Sequence, residues 1–279
     1  MLESIVRALA QIEREEDVLI FFACESGSRA WGFASTDSDY DVRFIYVHPR
    51  DWYLSVDLER KRDVIERPIR DQIDLSGWDL RKALRLLHKS NPPLLEWLNS
   101  PQIYARNLDV VPRLLDLVPR HYSPRACWYH YLHMAEGNFR EYLRGDIVWV
   151  KKYLYVLRPL LAVRWIEQGL GVVPMAFDAL LAKVVGEPGL ARSIQELLAR
   201  KRAGQELDRG PRISLISNYI EKELVRLSQA AGPPEERSAD VEELNQIFRW
   251  AVGQFGEQGQ SHLGRGNGLR VEGSSALGN

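Results

Sequence analysis

Apolar residues open the chain at helical spacing, with Leu2, Ile5, Leu9 and Ile12 on one face and charge on the other, which predicts an amphipathic first helix. The next run, Val18-Leu-Ile-Phe-Phe-Ala-Cys24, is rich in strand formers and stops at Gly and Ser, as a buried strand feeding a tight turn does. Tyr40-Asp-Val-Arg-Phe-Ile-Tyr-Val47 predicts a second strand. Side chains alternate along a strand, so Asp39, Asp41 and Arg43 fall on one face and Tyr40, Val42 and Phe44 on the other. A charged connection, Arg60 to Arg70, leads to Asp71-Gln-Ile-Asp-Leu75, a short alternating candidate for a third strand. Gly77-Trp-Asp-Leu80 then leads into a helix through Leu87, and Asn91 caps another with Pro92 at its first position.

From about Tyr122 strand signals give way to repeated helical ones. Ser123-Pro124 opens a helix that Gly145 stops, and a second is expected from Ile147 to Gln168, kinked at Pro159. Others are expected near Arg192 to Arg202, Ile213 to Ala231 and Val241 to Phe255. The pattern therefore predicts an α+β protein in which residues 1–120 form a mixed α/β domain on a small sheet and residues 121–255 an all-helical domain. Residues 256–279 are Gly- and Ser-rich with few aliphatic side chains, and are expected to be a disordered tail.

Composition narrows the function classes. With 45% hydrophobic and 27% charged residues, a chain of 279 is an ordinary globular protein with a real core. No apolar run approaches the ~20 residues that span a bilayer, and charge in the first turns argues against a signal peptide. Cys24 and Cys127 are too few for a disulfide framework and read as reduced thiols, so a cytoplasmic location is expected. A net charge of -1 argues neither for nor against nucleic acid as a partner.

The chemistry concentrates between Cys24 and Val47. Asp39 and Asp41 point the same way beside Gly27-Ser28, and like charges held this close favour their neutral forms unless a cation sits between them. A divalent metal is the economical answer, since Mg²⁺ takes one or two carboxylates and completes its shell with water and phosphate oxygens. Asp37-x-Asp39-x-Asp41 opens like an EF-hand loop, but Val42 and His48 stand where that loop needs Gly and Glu. His130 and His133 share a helix face without zinc-protease spacing.

A strand, Gly-Ser, a short helix and then Asp-x-Asp on the next strand resembles the DNA polymerase β-like nucleotidyltransferase superfamily. Ser-Asp-Tyr-Asp-Val-Arg-Phe at 38 to 44, Gly-Trp-Asp-Leu-Arg-Lys at 77 to 82, Lys-Ser-Asn-Pro-Pro-Leu-Leu-Glu-Trp-Leu at 89 to 98 and Lys-Lys-Tyr-Leu-Tyr-Val-Leu-Arg-Pro-Leu-Leu at 151 to 161 are similar to its RNA-repair-pathway (RlaP-type) branch. The resemblance implies a nucleotidyltransferase that moves NMP from an NTP, with ATP expected, to an acceptor hydroxyl and releases pyrophosphate. It implies two Mg²⁺ ions, or Mn²⁺, on Asp39 and Asp41, and a triphosphate met by Gly27 and Ser28. A third carboxylate is usual in the superfamily; Asp74 is the choice here for catalysis and metal, with Asp79 the alternative. Lys152 and Arg158 of the helical half are expected to meet the nucleotide from across the cleft, and Arg29 and Arg43 flank the acids. The acceptor implied is an RNA end, such as that of a damaged tRNA, whose backbone the basic side chains between Arg60 and Lys89 would track. A small-molecule or protein hydroxyl is the rival acceptor. A catalytically silent nucleotide-binding or partner-binding module is the rival of another class.

Overall fold

The computed structural model describes residues 1–205, 207–235 and 239–258, with the backbone alone for 254–258. Helix α1 (Leu2–Glu16) buries Ile5, Leu9 and Ile12, the face its apolar spacing predicts. Strand β1 (Leu19–Glu25) follows, then a single helical turn, α2 (Gly27–Ala30), and strand β2 (Tyr40–Val47). The short helix α3 (Arg50–Tyr53) and a 3-10 turn (Leu58–Arg60) lead to a hairpin of β3 (Val64–Arg70) and β4 (Ile73–Asp79). Asp71 and Gln72 turn that hairpin with φ of 50° and 64°, the paired left-handed conformation of a two-residue loop. Helices α4 (Leu80–His88) and α5 (Pro92–Leu98) and strand β5 (Ile103–Arg106) complete a five-stranded sheet of order β3-β4-β2-β1-β5. Its one parallel pair is β2 with β4; all other neighbours are antiparallel.

Two buried clusters sandwich this sheet. Val42, Phe44 and Tyr46 of β2 join α1 on one side. Ile45 and Val47 join the helices on the other, in a cluster that reaches Val252 of the last described helix. The helices are α6 (Val110–His121), α7 (Pro124–Tyr142), α8 (Lys152–Glu167), α9 (Phe177–Val184), α10 (Pro188–Arg202), α11 (Ser214–Ser228) and α12 (Val241–Gln258). The caps form as the sequence predicts: the Asn91 side chain accepts from Leu94 N–H, and Ser123 from Ala126 N–H. Helix α12 turns back onto α3, α4 and α6, setting the Phe248 ring 5.0 Å from that of Tyr53 and Trp250 under Arg113.

Several elements depart from expectation. The charged segment Arg60 to Arg70 is largely strand β3, an edge strand that carries no alternation because Ile65 alone of its seven residues is buried. The helix expected from Ile147 starts at Lys152. Ile147–Trp149 instead forms strand β6, paired with β7 (Arg209–Pro211) in a two-stranded ribbon, so the second half is not purely helical. Helix α8 continues through Pro159. The tail expected from residue 256 lies, from 259 onward, outside the described residues, and α12 itself reaches Gln258. Cys24 and Cys127 are buried and unbridged.

Candidate active site

The register of the parallel pair builds the site. Asp41 on β2 is the direct neighbour of Asp74 on β4, and Arg43 that of Ser76. The carboxylates therefore stand side by side on the helix-facing side of the sheet, while Val42 and Leu75 point to α1. One guanidinium nitrogen spans them: Arg43 Nη2 donates to Asp41 Oδ1 at 3.0 Å and to Asp74 Oδ2 at 2.8 Å. The cation that like charges demand is supplied in this structure by the chain itself. Burial nonetheless pushes the Asp41 carboxyl above its ordinary range; Arg43 opposes that rise, and the charges of Asp74 and Asp39 add to it.

Gly27 closes against this pair. Its φ is +57°, and a β-carbon there would lie 1.9 Å from Asp41 Oδ2, so only glycine fits both the backbone and the space. Ser28 sits next on the single turn of α2, half-buried. Beneath them Glu25 ends β1 fully buried; its carboxylate accepts from Asp41 N–H at 2.8 Å and from the Tyr104 hydroxyl. Ser26 N–H donates to Asp41 O at 2.8 Å. Asp41 is thus fixed at its backbone from two sides. Sequence reasoning passed over Glu25, whose signal was a charged residue inside an apolar strand.

Asp39 lies just outside β2 and is exposed. Its backbone oxygen accepts from Arg29 Nε at 3.1 Å, and Arg29 also bonds Ser38 O at 2.6 Å and stacks 3.8 Å over the Tyr40 ring. Arg29 is therefore committed to the loop. Asp79 differs from Asp74 in every respect. It is buried, caps α4 by accepting from Arg81 N–H at 2.7 Å, and accepts from the Tyr53 hydroxyl at 2.6 Å. Burial pushes its carboxyl up to about 6 in spite of those bonds.

The helical half meets the site through α8 and α10. Lys152 Nζ lies 4.2 Å over the Tyr142 ring and 4.8 Å over that of Tyr155. Burial, and after it the charge of Asp41, push the Tyr155 hydroxyl up, and its ring meets that of Trp31, at the end of α2, edge to face at 5.8 Å. Arg158 departs from the expected role. It is buried, donates to Glu96 Oε1 at 2.8 Å and to Met175 O at 3.4 Å, and lies 4.6 Å over the Trp31 ring. Its charge is spent inside the protein. Cations that the sequence did not single out stand nearer the loop of Asp37: Lys201 Nζ donates to Ser35 Oγ at 2.8 Å, and Arg202 Nε to Gly32 O at 2.8 Å. The Asp37 carboxyl is held low by hydrogen bonds from Ser35 and the backbone, with Lys201 and Lys151 adding to the effect.

Among the described residues no three His, Cys, Asp or Glu side chains converge as a ready metal cluster. Asp41 and Asp74 still fit a hard divalent ion, being oxygen donors that already share one cation-binding point, with Asp39 near enough to be felt by Asp41. Arg43 would have to yield its place.

The family model for the RlaP family, RNA repair pathway DNA polymerase beta family, matches residues 1–250. A protein of Bacillus subtilis (strain 168), "Uncharacterized protein YcgL", is 47% identical over 262 residues, which cover 94% of this chain and all of that protein. Among solved structures, a nucleotidyltransferase-like protein from Exiguobacterium sibiricum 255-15 is similar at 13% identity and a TM-score of 0.31, covering 79% of this chain and 74% of that one.

Proposed function

This chain belongs to the RNA repair pathway DNA polymerase β family, and from that premise we propose that it transfers NMP from an NTP to the hydroxyl of an RNA end. The single observation that carries this reading is the alignment of Asp41 with Asp74 beside Gly27, two carboxylates on one cation and a backbone pared to glycine against them. Asp41 and Asp74, with Asp39, would hold Mg²⁺. Bound there, the metal supplies Lewis acidity at the α-phosphorus and stabilises the leaving pyrophosphate.

The chain's own groups set the rest. Gly27 admits phosphate close to the backbone, and Ser28 offers its N–H and hydroxyl. Arg43, released from the acids, lies within reach of the same oxygens. Lys152 approaches from α8 and Lys201 from α10, and together they neutralise charge that grows on pyrophosphate as the bond between the α-phosphorus and the bridging oxygen breaks. The Tyr155 and Trp31 rings, packed edge to face at 5.8 Å, would exclude water on that side. Attack by the acceptor oxygen forms the new bond to the α-phosphorus, and its proton would pass to a carboxylate, Asp74 in this reading.

The Arg43 bridge favours a second reading, a nucleotide-binding module without catalysis, because the acids are already neutralised. One experiment separates the two. The protein is incubated with each labelled NTP, Mg²⁺ and an RNA pool, and pyrophosphate and labelled RNA are followed. Replacing Asp41 with Asn should slow transfer at least ~100-fold, or about 2.7 kcal/mol of barrier. Near wild-type turnover in Asp41→Asn would remove the assignment, and no pyrophosphate from the wild type under any NTP would favour the silent module.

A further inference from the structure

The ribbon of β6 and β7 leads directly into α8 and has an exposed outer face. Val148 points inward and is fully buried, so its neighbours Ile147 and Trp149 point outward, 51% and 37% exposed. Trp149 stands directly opposite Arg209, and Ile147 opposite Pro211, which puts these four side chains on one surface. Singly exposed apolar residues need no explanation. Here an exposed indole is joined to cations and, through packed rings, to the turn of Gly27 and Ser28. Lys151 Nζ lies 5.7 Å from the Trp149 ring, and the next residue, Lys152, lies 4.8 Å over the Tyr155 ring, which meets Trp31 at the end of α2 edge to face at 5.8 Å. The acids of the ribbon are partly answered: Asp208 is 3.9 Å from Lys151. Backbone bonds from Val150 N–H to Asp208 O and from Lys151 N–H to Leu207 O hold the ribbon rigidly against the start of α8.

A flat aromatic surface flanked by lysine and arginine is the arrangement that takes a base on its face and a phosphate at its edge. We infer that Trp149, with Lys151 and Arg209, is the stacking platform for the unpaired terminal bases of the acceptor RNA, and that it delivers the terminal hydroxyl to Asp41 and Asp74. This inference rests on the RNA-end reading and adds the residues that grip the strand. The NTP is held elsewhere, at Gly27, Ser28 and Lys152, so the two affinities are separable.

The test uses the full chain and a short fluorescein-labelled single-stranded oligoadenylate. Anisotropy gives its Kd, calorimetry the Kd of the NTP with Mg²⁺, and light scattering the mass in solution. Trp149→Ala should raise the oligoadenylate Kd about five- to hundred-fold, the loss of stacking on one base, with NTP affinity unchanged. Trp149→Phe should keep most of the binding, and equal melting temperatures would show that the fold is intact. If the wild type binds the oligoadenylate and Trp149→Ala binds it equally well, the platform is refuted and the RNA reading stands. If the wild type binds NTP and not the oligoadenylate, the RNA reading falls and the platform with it. A wild-type dimer that Trp149→Ala converts to a monomer would assign this face to a second copy of the chain instead.

Discussion

Arg158 is a point where the structure reverses the expected consequence of a mutation. A cation facing the triphosphate could be cut to alanine with little effect on the fold. In the structure its side chain is 3% exposed and that of its partner Glu96 9%. Glu96 also accepts from the Tyr131 hydroxyl at 2.8 Å and from Trp31 Nε1 at 3.2 Å. Arg158→Ala leaves that carboxylate buried with two neutral donors and no countercharge, which costs about 3–5 kcal/mol. For a chain of this size each kcal/mol lowers Tm by ~2–4 °C, so the expected fall is roughly 6–20 °C. Replacing both partners, Arg158→Met with Glu96→Gln, should recover much of the loss, because the lone charge is then gone. Thermal melts of the wild type, Arg158→Met, Glu96→Gln and the double variant, with Arg158→Ala beside them, followed by circular dichroism, measure the coupling, and calorimetry well below the lowest Tm measures NTP affinity. Trp31 directly follows α2, so the same network anchors the turn that presents Ser28. An Arg158→Ala protein with wild-type Tm and NTP affinity reduced tenfold would refute this reasoning and restore Arg158 to the cleft.

Gly27→Ala should abolish transfer, since its β-carbon would meet Asp41 Oδ2 and φ would be strained; wild-type turnover in that protein, measured by pyrophosphate release, would contradict the close approach. Asp74→Ala should lose activity with little change in Tm, whereas Asp79→Ala should lose a buried cap and ~1 kcal/mol or more of stability; parallel assays and melts at several Mg²⁺ concentrations distinguish them, and the opposite pattern would exchange their roles. Asp79 also sets a pH dependence. Its folded pKa, about 6, lies above the ordinary 3.8, so its contribution is fully present below pH 3.8 and is lost as pH rises through 6. At ~1.4 kcal/mol per pH unit that span amounts to about 3 kcal/mol at most, so Asp79→Asn should gain stability relative to wild type between pH 4 and 7 in paired urea titrations; a constant difference would show that Asp79 titrates normally.

The sequence makes legible what obeys a period or a cap. The first helix, β1, β2 and the starts at Asn91 and Ser123 follow from apolar spacing and capping chemistry, and Asp41 could be placed on one face with Arg43 by alternation alone. What alternation could not say was that Arg43 bridges Asp41 to Asp74, because register across the crossover between β2 and β4 is a tertiary fact. The expectation that Arg158 meets the nucleotide misled for a definite reason. Helix α8 is buried nearly all the way round, from Tyr153 to Val163, so a basic residue in its sequence tells nothing of depth. Lys201 was hidden differently: a basic last turn reads as an ordinary helix terminus, and its bond to Ser35 spans 166 positions. Strands β5, β6 and β7, of three or four residues, are too short to carry a period.

The return of α12 to the first half of the molecule bears on the order in which the protein can be made. Leu244, Ile247, Ala251 and Val252 fill the groove over α4 and α6, and Phe248 reaches Tyr53. A ribosome adding ~5–20 residues each second delivers that covering helix last, well after the sheet that carries Asp41 and Asp74 has left the exit tunnel. Until then the nascent sheet half shows bare aliphatic surface, the kind that chaperones hold and that neighbouring nascent chains stick to. A message cut short before residue 241 would yield Asp39, Asp41 and Asp74 on a chain unable to bury that surface. Such a fragment should be cleared by proteolysis, which pulse-chase of the 1–240 chain beside the full one would measure.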